Sequence, residues 1–376
     1  MKAILILLSV LRVAFVGDPQ VDNATQFDYA RRSIYRELRE RKDLDLVIVL
    51  GDLVNDKTEL IAPTVASLDS LPCPWLAVPG NHDRDRYPKE LGRARDLSTW
   101  QREIGYIDTT FVCKGIRFIL MNDVRTRRQA DYEAGFSEEQ KRWLTGVMAS
   151  SGETEPIVFA CHIPLAEMQA RDTLEQLFAG KQRLLLVSGH THQVRRDTLI
   201  LGGRPVESLV TGAACGSWWR GFPDTDGVPD ALMNCGSPRG YFVCDFTRSG
   251  HRLTYKAVAS DAVASVGTIA DGRLAVNVFG GSLDGSVRIR VQGRNVTLER
   301  VSTTAPEVLE RIEYNRAMTR EYRRAHREEF IPLRRLGSPH VWVVPEGTPL
   351  APEPGTPVTV RYRDPRMAFR TRVHCR

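Results

Sequence analysis

The chain has 376 residues, 42% hydrophobic and 26% charged, with a formal net charge of +6. That length suits two domains, or one large domain with additions, around a sizeable core; the composition excludes a collagen, a coiled coil, a disordered tail protein and a small disulfide scaffold, and no run of ~18 apolar residues is present to span a membrane. Only 8 of the 52 basic residues are Lys, and so modest a positive balance gives no expectation of nucleic acid as a partner unless folding gathers a focused basic face.

In chain order, Met1 and Lys2 precede the apolar run Ala3–Leu11. This is the form of a signal-like leader, or else of an extended first strand. The leader reading, taken in preference, puts the protein in the periplasm or outside the cell; the strand reading leaves it cytoplasmic. Arg12–Val16 reads as a buried strand, and Asp22–Arg41 as a helix capped by Asn23 or Thr25, with Phe27, Ala30, Ile34 and Leu38 at helical spacing. Leu46–Leu50 is a strand apolar on both faces, followed by a helix over Thr58–Leu68 and short strands at Trp75–Val78 and Phe118–Met121. Ser137 to Gln140 forms a capping box that opens a helix, and Ile157–Ala160 and Leu184–Val187 are further strands. Strands alternating with helices indicate an α/β layered domain, assigned here to 12–257.

From residue 258 the texture changes. Leu274–Phe279, Ser286–Val291, Val341–Val344 and Thr356–Tyr362 read as short strands between Gly, Pro and Asp turns, interrupted by one charged helix around Val308–Glu329. Residues 258–376 are therefore assigned to a smaller β-rich domain, and 1–11 to the leader or strand extension. Seven Cys without a CxxC pair imply neither a zinc knuckle nor a full disulfide framework, though they leave room for one bridge among Cys215, Cys235 and Cys244.

The polar residues gather where the predicted strands end: Asp18-Pro-Gln20, Gly51-Asp52-Leu-Val-Asn55-Asp56, Gly80-Asn81-His82-Asp83, Cys161-His162 and Gly189-His190-Thr-His192. In open α/β sheets ligands bind beyond the carboxyl ends of strands, so five loops converge on one place. Carboxylate and amide oxygens with imidazoles suit Mn, Fe or Zn, and seven candidate ligands are too many for one ion. Two divalent ions follow, ~3.5–4 Å apart, able to polarise a phosphoryl oxygen and lower a water's pKa toward ~7.

In this order the five blocks resemble those of the calcineurin-like metallophosphoesterases. The resemblance implies a four-layer α/β/β/α sandwich whose dinuclear centre hydrolyses phosphate esters, with a metal-bridging hydroxide as nucleophile. It implies Asp18, Gln20, Asp52 and His192 as ligands of one metal, and Asp52, Asn81, His162 and His190 as ligands of the other. It makes His82 the catalytic group, oriented by Asp83. Gln20 departs from the family's usual His. A second resemblance, carried by Thr211–Trp219, Asp226–Asp230, Gly236–Tyr241 and Asn277–Gly281, is to a bacterial subgroup with its own C-terminal β domain. Trp218, Trp219, Arg220 and Tyr241 are candidates to line a pocket for a small phosphorylated organic substrate, monoester or diester. The rival reading is a non-catalytic, metal-containing binding protein on the same scaffold; an intact His82 counts against it.

Overall fold

The computed structural model describes residues 10–127, 131–169 and 171–376. The apolar run at 1–9, on which the leader expectation rests, lies outside them. Two mixed sheets carry the first part of the chain. The first has the order Gly250–Ala257, Gly240–Thr247, Leu11–Val16, Leu46–Val49, Trp75–Ala77, with its last three strands parallel. The second runs Val194–Leu201, Arg204–Thr211, Leu184–Ser188, Ile157–Ala160, Ile116–Leu120, Thr109–Cys113, with the four central strands parallel.

Alternation along the strands of the second sheet divides the core in two. Phe118, Leu120, Val158, Ala160, Leu185 and Val187 join the residues of the first sheet. Their neighbours Ile119, Ile157, Phe159, Leu184 and Leu186 face the other way, onto Leu144, Val147 and Met148 of the helix Glu138–Ser150. On the far side of the first sheet, Ala30, Ile34 and Leu38 of the helical segment 24–40 and Ile61 and Leu68 of Ile61–Asp69 complete the same cluster. The four layers are thus helix, sheet, sheet, helix. Each fully buried Val, Leu, Ile or Phe contributes ~1.5–3 kcal/mol, and four of the six residues of the strand Leu11–Val16 are buried residues of these types. The sheets are therefore a rigid base for what projects from their ends.

Local signals agree with these elements. The side chain of Asn23 accepts from the Gln26 N–H, and Ser137 with Gln140 forms a complete capping box. The long charged helix divides in two, Pro306–Ala317 and Arg320–Ala325, because Thr319 turns extended and caps the second piece by accepting from Tyr322 N–H. Two antiparallel four-stranded sheets form the C-terminal β-rich region. One orders Ala264–Thr268, Leu274–Val278, Val341–Val343, Glu299–Arg300; the other Arg294–Thr297, Ser286–Val291, Pro357–Arg363, Ala368–His374. All seven cysteines are free, so the bridge left open among Cys215, Cys235 and Cys244 is not formed. Among the described residues no helix is long and apolar enough to cross a membrane.

Candidate metal centre

The five loops leave the C-terminal ends of three parallel strands of the first sheet, Leu11–Val16, Leu46–Val49 and Trp75–Ala77, and two of the second, Ile157–Ala160 and Leu184–Ser188. Turning sharply there requires backbone that side chains rarely adopt: Asp18, Gln20, Asp52, His190 and His192 have φ of 48°, 39°, 49°, 72° and 50°. Such residues cost ~1–3 kcal/mol each and persist where the surroundings hold them. Here the loops hold one another. The Gln20 N–H donates to the Asp52 carbonyl at 2.8 Å, Ala214 N–H to Gly17 at 2.7 Å and Cys215 N–H to Asp18 at 3.0 Å. Gly80 has no alternative, since a Cβ would come within 2.1 Å of Asp52 Oδ1 and 2.4 Å of its amide nitrogen.

Asp18, Asp52 and His162, all buried, bring one ligand atom each within 4.8 Å of one another. The Leu50 carbonyl can only accept, so His162 donates to it through Nδ1 at 2.8 Å and keeps a lone pair on Nε2. That Nε2 lies 3.0 Å from Asn81 Oδ1, 3.1 Å from His190 Nδ1 and 3.5 Å from Asp52 Oδ1. His192 repeats the device. Its Nδ1 donates to the Gly216 carbonyl at 2.8 Å, and its Nε2 faces Asp18 Oδ1 at 3.7 Å. Tying the outer nitrogen in this way fixes a ring for metal ligation. Burial pushes His162 and His190 down to about 3 and His192 to about 4, so all three are neutral at physiological pH. Burial, then the charge of Asp52, raises Asp18 well above the carboxylate range, and burial raises Asp52 to about 6. Buried acceptors aimed at one another are what a cation between them would satisfy, and this donor set fits divalent ions.

Gln20 is buried beside them. Its amide N–H donates to Asp52 Oδ2 at 3.3 Å and its oxygen faces Cys215 Sγ at 3.8 Å. Ligation through oxygen requires the amide to turn over. His82 lies at the mouth, its side chain 29% exposed and its backbone N–H donated to Asp52 Oδ1 at 2.9 Å.

The partner of the His82 ring is a correction. Asp83 accepts from Gly80 N–H at 2.8 Å and Val54 N–H at 3.1 Å, so it ties two loops together and does not hold the ring. Asp56 lies 3.1 Å from His82 Nδ1, backed by Arg95 at 3.1 Å and by Arg86. Burial alone would lower the His82 pKa, but the carboxylates of Asp56 and Asp52 outweigh it and raise it. Asp83 adjoins His82 in the sequence, whereas Asp56 comes from the loop after the preceding strand and has a left-handed backbone, φ 62°.

The four proposed pocket residues separate. Trp218, 43% exposed, stacks on His192 with ring centroids 4.6 Å apart. Trp219 is buried and donates its indole N–H to the Pro19 carbonyl at 3.0 Å, propping the first loop from behind. Arg220 is exposed in the next turn. Tyr241 is fully buried with its hydroxyl on Glu37 and Arg41, so it braces a helix against the first sheet and is not brought to the loops. Tyr132, unsuspected in the sequence, meets the His190 ring edge-on at 5.9 Å and is 43% exposed. A 550 Å³ cleft containing Arg196, Glu207, His251 and Arg366 lies elsewhere and includes none of these loops.

Residues 11–194 match the family described as calcineurin-like phosphoesterase, and residues 208–365 the C terminal of calcineurin-like phosphoesterase. A probable glycerophosphodiester phosphodiesterase GpdQ of Arcobacter nitrofigilis is 26% identical over 206 residues, covering 48% of this chain and 72% of that protein. Among solved structures, the phosphopantetheinyl hydrolase PptH of Mycobacterium tuberculosis has a TM-score of 0.33 at 13% identity, covering 54% of this chain and 90% of that one. A metallophosphoesterase from Sphaerobacter thermophilus has a TM-score of 0.31 at 13% identity, covering 68% and 90%.

Proposed function

The chain belongs to the calcineurin-like phosphoesterases, and from that premise we propose that it is a phosphodiesterase with a dinuclear centre. Asp18, Gln20, Asp52 and His192 would hold one ion, and Asn81, His162 and His190 the other, with Asp52 shared between them. The observation that carries this reading is the convergence of buried ligand atoms at the strand ends, with Asp18, Asp52 and His162 within 4.8 Å of one another at its centre. Mn, Fe and Zn all suit this donor set. Two such ions, when bound, supply Lewis acidity and a water acidic enough to attack at neutral pH.

The remaining chemistry belongs to side chains. Asp52 would be shared by both ions, where its carboxylate would offset the repulsion of two dications. Asp56 favours the charged form of His82, and with Nδ1 facing that carboxylate the ring has Nε2 to meet a phosphoryl oxygen or protonate the departing alkoxide. Asp83 and Asp123 fix the loops: Asp123 accepts from His162 N–H at 3.2 Å and Ile163 N–H at 3.1 Å. Trp218 and Tyr132 flank the mouth, a setting for a small organic diester and not for a bulky polymer. The name of the Arcobacter relative favours a diester over a monoester. We place the boundary between catalytic and C-terminal domains after Ala257, where the last strand of the first sheet ends.

Hydrolysis of bis-p-nitrophenyl phosphate beside p-nitrophenyl phosphate, with added manganese, tests the reading. Diester turnover that disappears in Asp52→Ala is the expected result. Monoester preference would redirect the substrate search to phosphorylated metabolites, and turnover undiminished in Asp52→Ala would refute the centre.

A further inference from the structure

The C-terminal sheet Arg294–Thr297, Ser286–Val291, Pro357–Arg363, Ala368–His374 has two unlike faces. Val287, Ile289, Val291, Val358, Val360 and Tyr362 point into the core. The alternate positions on three adjacent strands carry Arg288, Arg290, Arg361, Arg363, Arg370 and Arg372, all exposed. Register places Arg288 opposite Arg361 and Arg361 opposite Arg370, a row of three guanidinium groups across neighbouring strands. Arg290 and Arg372 flank Thr359 in the next row.

No Asp or Glu lies on any of the four strands. Among the described residues, none of these six arginines has an ion-pair partner, whereas surface arginines elsewhere commonly do, as Arg273 with Asp271 and Arg376 with Glu310. Like charges directly opposite one another destabilise a sheet. A solvated face needs only polarity, so a row of unneutralised arginines calls for an external anion.

We propose that this face binds the phosphodiester backbone of nucleic acid without reading its bases. Guanidinium forks match phosphate oxygens in pairs, which favours arginine over lysine. Strand spacings give the patch roughly 10 Å across and ~13 Å along the strands, enough to meet several phosphates of a duplex carrying one charge per ~1.7 Å. A groove of about 420 Å³ runs among Arg288, Arg290, Arg361 and Arg370. None of the chain's exposed large hydrophobic residues lies on these strands, so the face has no anchor for a bilayer and no platform for stacked bases. An extended polyanion is the occupant that fits. The sequence withheld this expectation because the arginines come from three segments that only the register brings together.

Fluorescence anisotropy of a labelled duplex of about 20 base pairs, at about 50 and 200 mM salt, tests the proposal on the full chain. Wild type binds, loses at least tenfold in affinity across that range, and leaves the duplex intact on a gel. The variant Arg288→Gln/Arg361→Gln/Arg370→Gln binds at least tenfold more weakly at low salt, with its salt slope reduced by about 3. A control of equal charge change, Arg320→Gln/Arg324→Gln/Arg327→Gln, keeps wild-type affinity. Circular dichroism and diester turnover confirm that both variants are folded. Absence of binding at low salt, equal loss in the two variants, or retention by phosphatidylserine vesicles without duplex binding would each overturn the proposal.

Discussion

Two buried clusters in this chain use the same residue types to opposite ends. Beneath the C-terminal region, His340 meets Asn277 Oδ1 through Nδ1 at 2.7 Å and the Ser237 hydroxyl through Nε2 at 3.4 Å, while Asn277 donates to Glu307 Oε2 at 3.2 Å. There donors meet acceptors, and the network closes on itself around one leftover atom, Glu307 Oε1. At the strand ends the donors are turned outward to backbone carbonyls, and the lone pairs of His162 and His192 look inward at carboxylates and an amide oxygen. The first arrangement is a structural network, the second a donor set that fits divalent cations. Burial and residue type do not tell them apart; the direction of each proton does.

Five substitutions break or sharpen the contrast. Asp52→Asn removes the shared carboxylate, and diester turnover falls by at least about a hundredfold with loss of bound metal, read by turnover and elemental analysis. Asp56→Asn leaves metal content unchanged but lowers turnover ~10-fold or more. Because the Asp56 carboxylate raises the His82 pKa, its loss moves the alkaline limb of the pH–rate profile to lower pH, by more than Asp83→Asn does, since Asp83 also raises His82 but more weakly.

In the closed network the effect is on stability. Burial holds Glu307 up at about 7, against 4.5 in the unfolded chain. The unfolded state gives up this proton first, so the stability held below pH 4.5 drains as pH rises toward about 7 and is flat beyond it. Glu307→Gln removes that slope and stabilises the protein at pH 8 by roughly 2–3 kcal/mol, measured by urea denaturation across pH, with diester turnover unchanged. The smallest change belongs to Trp218→Ala, which removes the exposed ring stacked on His192 and raises KM for an aromatic diester a few-fold while kcat holds.

What the sequence reveals follows from where information is local. Strands buried on both faces stand out as apolar runs, and the residues just after them, Asp18, Asp52, Asn81, His162, His190 and His192, are conspicuous as polar endings. The four long strands between Val194 and Ala257 went unread because polar and apolar residues mix along them, although Gly202-Gly203 marks their first turn. Asp56 stands among the same polar endings, but its approach to His82 depends on a backbone twist that composition does not encode. The charged segment 308–329 was read as one helix, since nothing in its periodicity marks Thr319 as a stop.

The most direct test of the central claim is the divalent metal content of the purified chain beside Asp52→Asn and His162→Ala, with diester turnover followed on the same samples. About two divalent ions per wild-type chain, fewer in both variants, and turnover that falls with them is the result this account predicts. Diester turnover by a metal-free wild-type chain, or equal metal content in all three proteins, would contradict it.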